Sequence, residues 1–390
     1  MKNKTMNFLL FIILILPFLE PLSFKEIIYL DEIYSILKVI SFFIILILYI
    51  LYLKKNQYKM SKILFITIIF QIEIYISTLI SNGAFGDLFG QTISVFSVVM
   101  LVELYIKKKD QDIVLKSLCG ILFCYAVINI FSMLSKNPNS GGAIVSFLGM
   151  DNRYIFFLLP LCVFSIVYSV LKYNRLTFFT YFVIIISAFQ LFYVWSVGAM
   201  LAVILLMIFT LLIDKFNVIK KITLKSYLIA IIILNILLVF VQIQYVFEDF
   251  IVNYLHKDVD LSGRVYTWKA GIEVFKEHPI LGIGGQTANF MQNIYYGTNQ
   301  HAHNLFLNIL VKGGIISLLI QVWMYIEIDK KLKKCDNKKL SVVFAFSIFL
   351  ILFISLTDTF DTYLVYIIYT LAYYSNDLNL KGRNEYEKNN

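Results

Sequence analysis

The chain has 390 residues, of which 59% are hydrophobic and only 15% charged, against roughly 45–50% and about 25% in a soluble domain, so it reads as a membrane protein. The net charge of +9 is no nucleic-acid footprint, because the basic residues alternate between connecting segments in the pattern that orients membrane helices. Cys119, Cys124, Cys162 and Cys335 lie in or beside apolar runs without metal-ligand spacing, which excludes a disulfide framework.

Lys2 and Lys4 precede an apolar run from about Met6 to Leu19. Only Glu20-Pro21-Leu22-Ser23 follows, with no small-x-small cleavage site, so the run is expected to be a retained first helix. Eleven further runs centre near Ile45, Ile72, Val98, Phe123, Cys162, Ile185, Leu206, Leu234, Leu319, Phe349 and Ile368. Each is roughly long enough to cross about 30 Å of hydrocarbon. The expected fold is an all-α integral membrane protein of about 12 transmembrane helices, a single polytopic domain over 1–390, with one long loop at 248–304. No internal repeat appears.

Charge sets the orientation. One set of connections, including the one next to the N-terminus, holds 25 of the 34 Lys and Arg residues, among them Lys54, Lys55, Lys107, Lys108, Lys109, Lys330 and Lys331. The bias predicts both termini in the cytoplasm and the 248–304 loop outside. The other external connections are short (Asn82–Gln91, Thr357–Thr362), except Ser135–Arg153. That one carries the turn-forming Asn137-Pro138-Asn139-Ser140-Gly141-Gly142 and ends in Gly149-Met150-Asp151-Asn152-Arg153. Gln71, Glu73, Asn129, Gln190 and Asn235 fall within spans. An intramembrane carboxylate is a functional candidate by default, and an interhelical hydrogen bond is the structural alternative.

All four histidines (His256, His278, His301, His303) fall in the long loop, and histidine is the side chain best suited to proton transfer near neutral pH. Ser262 is placed to cap a helix that starts near Arg264 and stops by His278, before Pro279. At 100° per residue Val265, Trp268, Ile272 and Phe275 share one face and Lys269, Glu273 and Lys276 the other. Arg264 sits in the first turn, where a cation opposes the helix dipole. Either an anion lies between them, or Arg264 is a surface residue paired with Asp258 or Asp260. Pro279-Ile280-Leu281-Gly282-Ile283-Gly284-Gly285 is a tight turn into a short helix from about Gln286 to Tyr295. It is either an anion cradle or plain loop geometry, since no Walker lysine or dinucleotide fingerprint accompanies it. His301-Ala302-His303-Asn304 offers half a metal site with no partners at suitable spacing, so no metal is expected. His303 begins a helical run, Asn304 to Val311, interrupted at Lys312-Gly313-Gly314. It reads equally as an acid–base residue and as a capping or buried structural histidine.

Arg264-x3-Trp268, Pro279-x2-Gly282-x-Gly284, and His303-Asn304 followed after nine residues by Gly314 together resemble the O-antigen ligase and polymerase superfamily (Wzy/WaaL type). The resemblance covers about 55 residues in detail and the hydropathy of the whole chain. It implies a GT-C-like membrane glycosyltransferase working without cofactor or metal, which transfers a glycan from undecaprenyl diphosphate to an acceptor hydroxyl with inversion. By that resemblance His303 is the general base or acceptor-positioning residue, and Arg264 binds the leaving diphosphate. His301, Asn304, Trp268 and Gly284 line the substrate site. The family's Ser-Arg-x-Ala arginine is absent here, where the chain reads Ser196-Val197-Gly198-Ala199, and Ser317 stands three residues after the motif glycine. Arg153, external and beside a span, is the candidate replacement cation.

The implied partners are the lipid-linked oligosaccharide, membrane lipid, a chain-length regulator and a flippase, with no nucleic acid. The implied location is the bacterial inner (cytoplasmic) membrane. Within this reading the enzyme is a polymerase of capsular or O-antigen repeat units, or a ligase moving polymer to lipid A core. A glycolipid transporter or flippase is the alternative of another class, but the inverted repeats and matched broken helices of transporters are missing.

Overall fold

The computed structural model describes residues 2–57, 59–135, 145–216, 219–256, 258–295, 297, 301–359 and 363–380. The Asn137–Gly142 turn and the basic tail residues Lys381, Arg383 and Lys388 lie outside them. The described residues are almost wholly helical. In chain order the helices are α1 (Lys2–Ile15), α2 (Ile28–Asn56), α3 (Lys62–Ile80), α4 (Gly86–Lys107), α5 (Gln111–Leu134), α6 (Ile155–Tyr173), α7 (Phe178–Tyr193), α8 (Val197–Leu212) and α9 (Leu224–Val239). They continue as α10 (Glu248–Asn253), α11 (Arg264–Glu277), α12 (Ala288–Ile294), α13 (Leu305–Lys333), α14 (Lys338–Ile354) and α15 (Tyr363–Tyr373). A two-residue antiparallel pair, β1 (Val145–Ser146) with β2 (Gly149–Met150), interrupts the all-α pattern.

Every one of the twelve apolar runs forms a helix. Six of these are long and apolar enough to cross a membrane, or seven if the α9 arm, bent by 77° into the segment Ile243–Asn253, counts as one broken span. The remainder, including α7, α8 and α15, are apolar but shorter. In α1 the regular helix gives way at Leu16–Leu19 to a 3-10 turn containing Pro17, whose ring cannot continue the ladder. The central element is α6, 94% of whose span is buried against α5, α7, α14 and α15. At the periphery α2 is 17% buried and presents Ile36, Ile40, Phe43, Ile47 and Ile50 outward, as a lipid-facing helix would.

The polar residues within spans make interhelical bonds. Asn129 donates to Gln190 Oε1 (2.9 Å), and its own Oδ1 accepts from Ser146 Oγ (2.6 Å) and Leu148 N (2.8 Å), anchoring the β pair to α5. Gln71 accepts from Thr92 Oγ1 (2.9 Å), and Asn235 accepts from Asn304 Nδ2 (2.7 Å). The buried Glu73 accepts from Ser317 Oγ. Removing such carboxamides from water is tolerable only because they are bonded.

The loop turn is built into the bundle by backbone accounting. At Gly314 (φ 59°, ψ −157°) α13 breaks, in a region of backbone space that is essentially glycine-only. The break frees carbonyls and N–H groups that a continuous helix would pair internally. The 279–284 turn takes them up. Ile283 N donates to Val311 O (2.8 Å), Gly284 N to Lys312 O (2.8 Å), and Ile315 N donates back to Pro279 O (2.9 Å). Ser77 of α3 donates to the carbonyls of Leu281 and Lys312, and Thr78 Oγ1 accepts from Gly285 N (2.8 Å). The glycine-rich turn is therefore a backbone clasp between α3 and the α13 kink. Lys312-Gly313-Gly314 thus marks the break at which α13 divides into a short first helix and the longer apolar one, as its sequence predicts.

Within the loop, α11 runs from Arg264 to Glu277 and ends at His278, as its sequence predicts. Val265 and Trp268 are buried with Ile272 and Phe275 half-buried, while Lys269, Glu273 and Lys276 are exposed. The cap differs from expectation: Gly263 (φ 83°) holds the N-cap position, and its N–H donates to Asp260 Oδ1 (3.2 Å). The chain turns left-handed through Leu261, Ser262 and Gly263, so Ser262 is rotated away from the helix start. The short helix begins later than expected, at Ala288, because Thr287 Oγ1 caps it through Phe290 N (3.3 Å).

Candidate active site

The loop helix, the N-terminus of α13 and the connections after β2 and α14 meet at one end of the bundle. There His303 (φ 48°) turns the chain into α13, and Asn304 caps that helix. Asn304 Oδ1 accepts from Leu307 N (3.1 Å), while its Nδ2 donates to Asn235 Oδ1 and to Leu356 O (3.0 Å). Leu305 N donates to Ser355 O (2.9 Å). The Asn side chain is thus engaged within the protein, and its effect is to fix where His303 stands relative to the end of α14.

That fixing brings in a residue the sequence reading did not single out. Asp358 Oδ1 lies 3.6 Å from His303 Nδ1. The carboxylate also accepts from Thr359 N (2.8 Å) and, through Oδ2, from Asn152 Nδ2 (3.4 Å). Burial pushes its pKa up, but the hydrogen bond with His303 and the charges of Arg153 and His303 outweigh burial and hold it below the ordinary carboxylate value. A carboxylate on Nδ1 leaves Nε2 as the basic nitrogen.

His301 stands beside this pair, its ring 4.2 Å from that of His303. Its Nδ1 accepts the backbone N–H of His303 (3.2 Å), so its proton sits on Nε2. Burial first, then the charges of His303, Arg153 and Lys312, push its pKa down to about 3. His301 is therefore a neutral hydrogen-bond donor at physiological pH. Two histidines two residues apart have opposite capacities, set by what each Nδ1 meets.

Arg264 is half-buried beside this cluster. Nη1 donates to Leu261 O (3.1 Å), and Nε has no hydrogen-bond partner among the described residues. Burial lowers its pKa, partly opposed by Asp358. The structure thus does not pair it with Asp258 or Asp260. Trp268 is only 1% exposed and packs with Val265, Tyr295, Ala302 and Val311 in a small core under the loop. Gly284 (φ 65°) forms the clasp and lines a cavity.

Two cavities adjoin the cluster. One, of about 440 Å³, is lined by Phe70, Ile74, Phe156, Tyr363, Tyr366 and Tyr369 among others, with Arg153, Lys25 and Lys312 as its cations and no carboxylate among the described residues. Arg153 also stacks over Phe156, 5.2 Å from its centroid. The second, of about 380 Å³, is lined by Asp87, Gln286, Thr287 and the backbone of Gly284 and Gly285. His301, Lys312, Asn308, Gln91, Leu88 and Thr359 line both. Arg153 and His301 therefore come together at one cavity, while Arg264 and His303 stand outside both linings, on the Asp358 side of the cluster.

His301, His303 and Asp358 also place three donor atoms within 4.8 Å of one another, a metal-compatible set that the sequence spacing did not suggest. Its surroundings oppose a cation, because Arg153 and Lys312 act on His301 and Arg264 acts with Asp358. An anion suits the same field.

A many-helix membrane bundle with a histidine–carboxylate pair and converging cations at one end defines a multi-pass membrane protein with an anion-directed pocket. Residues 182–322 match the family described as O-antigen ligase. The resemblance to the O-antigen ligase and polymerase superfamily carried by the loop motifs therefore holds, and the matched stretch includes Arg264, His301, His303, Asn308 and Lys312 but not Arg153 or Asp358. The chain is also similar to the exopolysaccharide production protein ExoQ of Rhizobium meliloti (strain 1021), with 32% identity over 83 residues, 18% of this chain. That likeness spans 19% of the relative's own length.

Proposed function

We infer that the protein is a membrane glycosyltransferase of polysaccharide biosynthesis, and specifically a polymerase of lipid-linked oligosaccharide repeat units. The observation that carries this reading is the 440 Å³ cavity, apolar and aromatic over much of its lining and cationic at Arg153, Lys25 and Lys312, with no carboxylate among the described residues, beside the His303–Asp358 pair. A polyprenyl chain with a diphosphate head has that chemistry. In the reaction the acceptor sugar hydroxyl of one repeat unit attacks the anomeric carbon of the chain carried on undecaprenyl diphosphate. The new glycosidic C–O bond forms as the anomeric C–O bond to the diphosphate breaks, with inversion. His303 Nε2 takes the hydroxyl proton, and Asp358 steadies the imidazolium that results. Arg153 and Lys312 neutralise the departing diphosphate, whose electrons need cationic stabilisation rather than a proton, and the half-buried Arg264 adds positive charge from outside the cavity. The reading extends to a GT-C-like bundle of twelve spans with the active loop outside the cytoplasmic membrane. It also includes a flippase and a chain-length regulator as partners.

The test is a His303→Ala strain analysed by gel. Accumulation of a single repeat unit on lipid, with no ladder, is the expected result. Long polymer of normal amount would sink the catalytic assignment, and loss of polymer from lipid A core with free long chains intact would favour a ligase instead. With metal absent from the mechanism, transfer in membranes is expected to run undiminished in chelator.

A further inference from the structure

The 380 Å³ cavity differs from its neighbour in kind. Among the described residues its lining has no tryptophan, tyrosine or phenylalanine, and it sets Asp87, Gln91, Gln286 and Asn308 around the glycine backbone of the clasp. Asn308 is 6% exposed and lines both cavities, yet its Oδ1 is buried without a hydrogen-bond partner among the described residues. A buried carbonyl left unpaired is costly, and native structures rarely leave one without a reason. The free atom is an acceptor, so its missing partner must be a donor. An ionised diphosphate offers no donor and cannot satisfy it. A sugar hydroxyl or acetamido N–H can. On the same wall His301 presents Nε2–H, because its Nδ1 already accepts from His303 N. The two residues therefore offer one acceptor and one donor, the complement of a hydroxyl, which is both.

We propose that the polar cavity is the acceptor-sugar subsite, and that Asn308 and His301 orient the attacking hydroxyl while Asp87, Gln91 and Gln286 read the rest of that sugar. The assignment rests on the glycosyltransferase reading above and divides the substrates: lipid diphosphate in the aromatic, cationic cavity, acceptor sugar in the carboxamide-lined one, with Lys312 between them. Since the His301 and His303 rings are 4.2 Å apart, a hydroxyl held at His301 lies next to the base. Asn308 is a specificity residue on this view, and sugars differing at the hydroxyl it reads are discriminated by its unpaired oxygen.

The experiment uses the full chain in membranes, with lipid-linked polymer as donor. Its acceptor is the lipid-free repeat-unit oligosaccharide released by mild acid from the intermediate that accumulates in the His303→Ala strain. Asn308→Ala is expected to raise KM for the free oligosaccharide by roughly tenfold, with KM for the lipid-linked donor within about twofold of the parent. Asn308→Asp, which keeps an acceptor oxygen on the same stem, is expected to recover most of that affinity. Asp87→Asn, on α4 and lining the polar cavity but not its aromatic neighbour, tests the same subsite without touching α13, and is expected to raise acceptor KM alone. If Asn308→Ala reduces the amount of folded chain, the Asp87→Asn result decides. An unchanged acceptor KM, or a rise confined to the donor, would overturn the subsite while leaving the polymerase reading intact. That reading fails separately, if His303→Ala still transfers.

Discussion

At the level of single residues the site depends on Asp358, which no local pattern in the sequence announces. The motif around His303 is legible because proton chemistry needs histidine and the run behind it is helical. Its carboxylate partner comes from a short connection 55 residues downstream, and only the folding of α13 against α14 joins them. An acidic residue at the end of an apolar run, in a connection placed outside, was the one available signal. Asp358→Asn keeps the shape and removes the charge that sets the His303 tautomer. The expected outcome is a fall of roughly 10²- to 10⁴-fold in transfer rate, at an unchanged amount of folded chain, measured as polymer formed per unit of protein in membranes. His301 makes a different prediction, about pH. Its folded pKa, about 3, lies below the ordinary 6.5. Above pH 6.5 neither folded nor unfolded chain binds the proton, and nothing is lost. Below it the unfolded chain takes up a proton that the folded chain refuses, and stability falls by up to ~1.4 kcal/mol per pH unit. Asp358, held below its ordinary 3.8, adds to the loss only at still lower pH. Thermal unfolding in detergent is expected to show this slope between about pH 6 and 4, and His301→Gln is expected to flatten it.

At the level of elements, glycine spacing was legible but its meaning was not. Pro279-x2-Gly282-x-Gly284 and Gly314 look like two loop features, and sequence alone leaves open whether the first cradles an anion. The structure joins them as the two sides of one clasp, a long-range backbone pairing that no periodicity encodes. A Cβ on Gly314 would overlap the backbone of Ile280 and Leu281, and one on Gly284 the backbone of Thr78. By contrast a Cβ on Gly263 meets nothing within 4 Å, although its φ is 83°. Gly314→Ala is therefore expected to destabilise the protein by about 3 kcal/mol or more, through both strain and collision, with the clasp released and activity lost. Gly263→Ala meets strain alone, about 1 kcal/mol. The difference in melting temperature between the two variants measures the clasp itself.

At the scale of the whole molecule, hydropathy located all twelve apolar helices, because a bilayer demands helices with internally satisfied backbones and their side chains advertise it. It overstated their lengths, since a run of apolar residues does not show where a helix bends, as α9 does by 77° before α10. Sidedness rests on charge alone, and it fixes whether the site can meet a precursor delivered outside. The two ends of the bundle differ as that argument needs. The site, the clasp and α11 lie at one end. At the other, Lys62 and Lys330 engage Glu327, Lys333 engages Asp329 and Lys339 engages Asp214. Arg and Lys are retained on the cytoplasmic side during insertion, so the lysine end is expected to be internal. In a chain with Cys119, Cys124, Cys162 and Cys335 replaced, Glu277→Cys on exposed α11 and Lys334→Cys after α13 report the two ends separately. A membrane-impermeant maleimide applied to intact spheroplasts is expected to label Glu277→Cys at once and Lys334→Cys only after the membrane is opened. Labelling in the reverse order would put His303 and its cations in the cytoplasm. An enzyme that consumes an externally presented diphosphate could not work from there, whatever its local geometry.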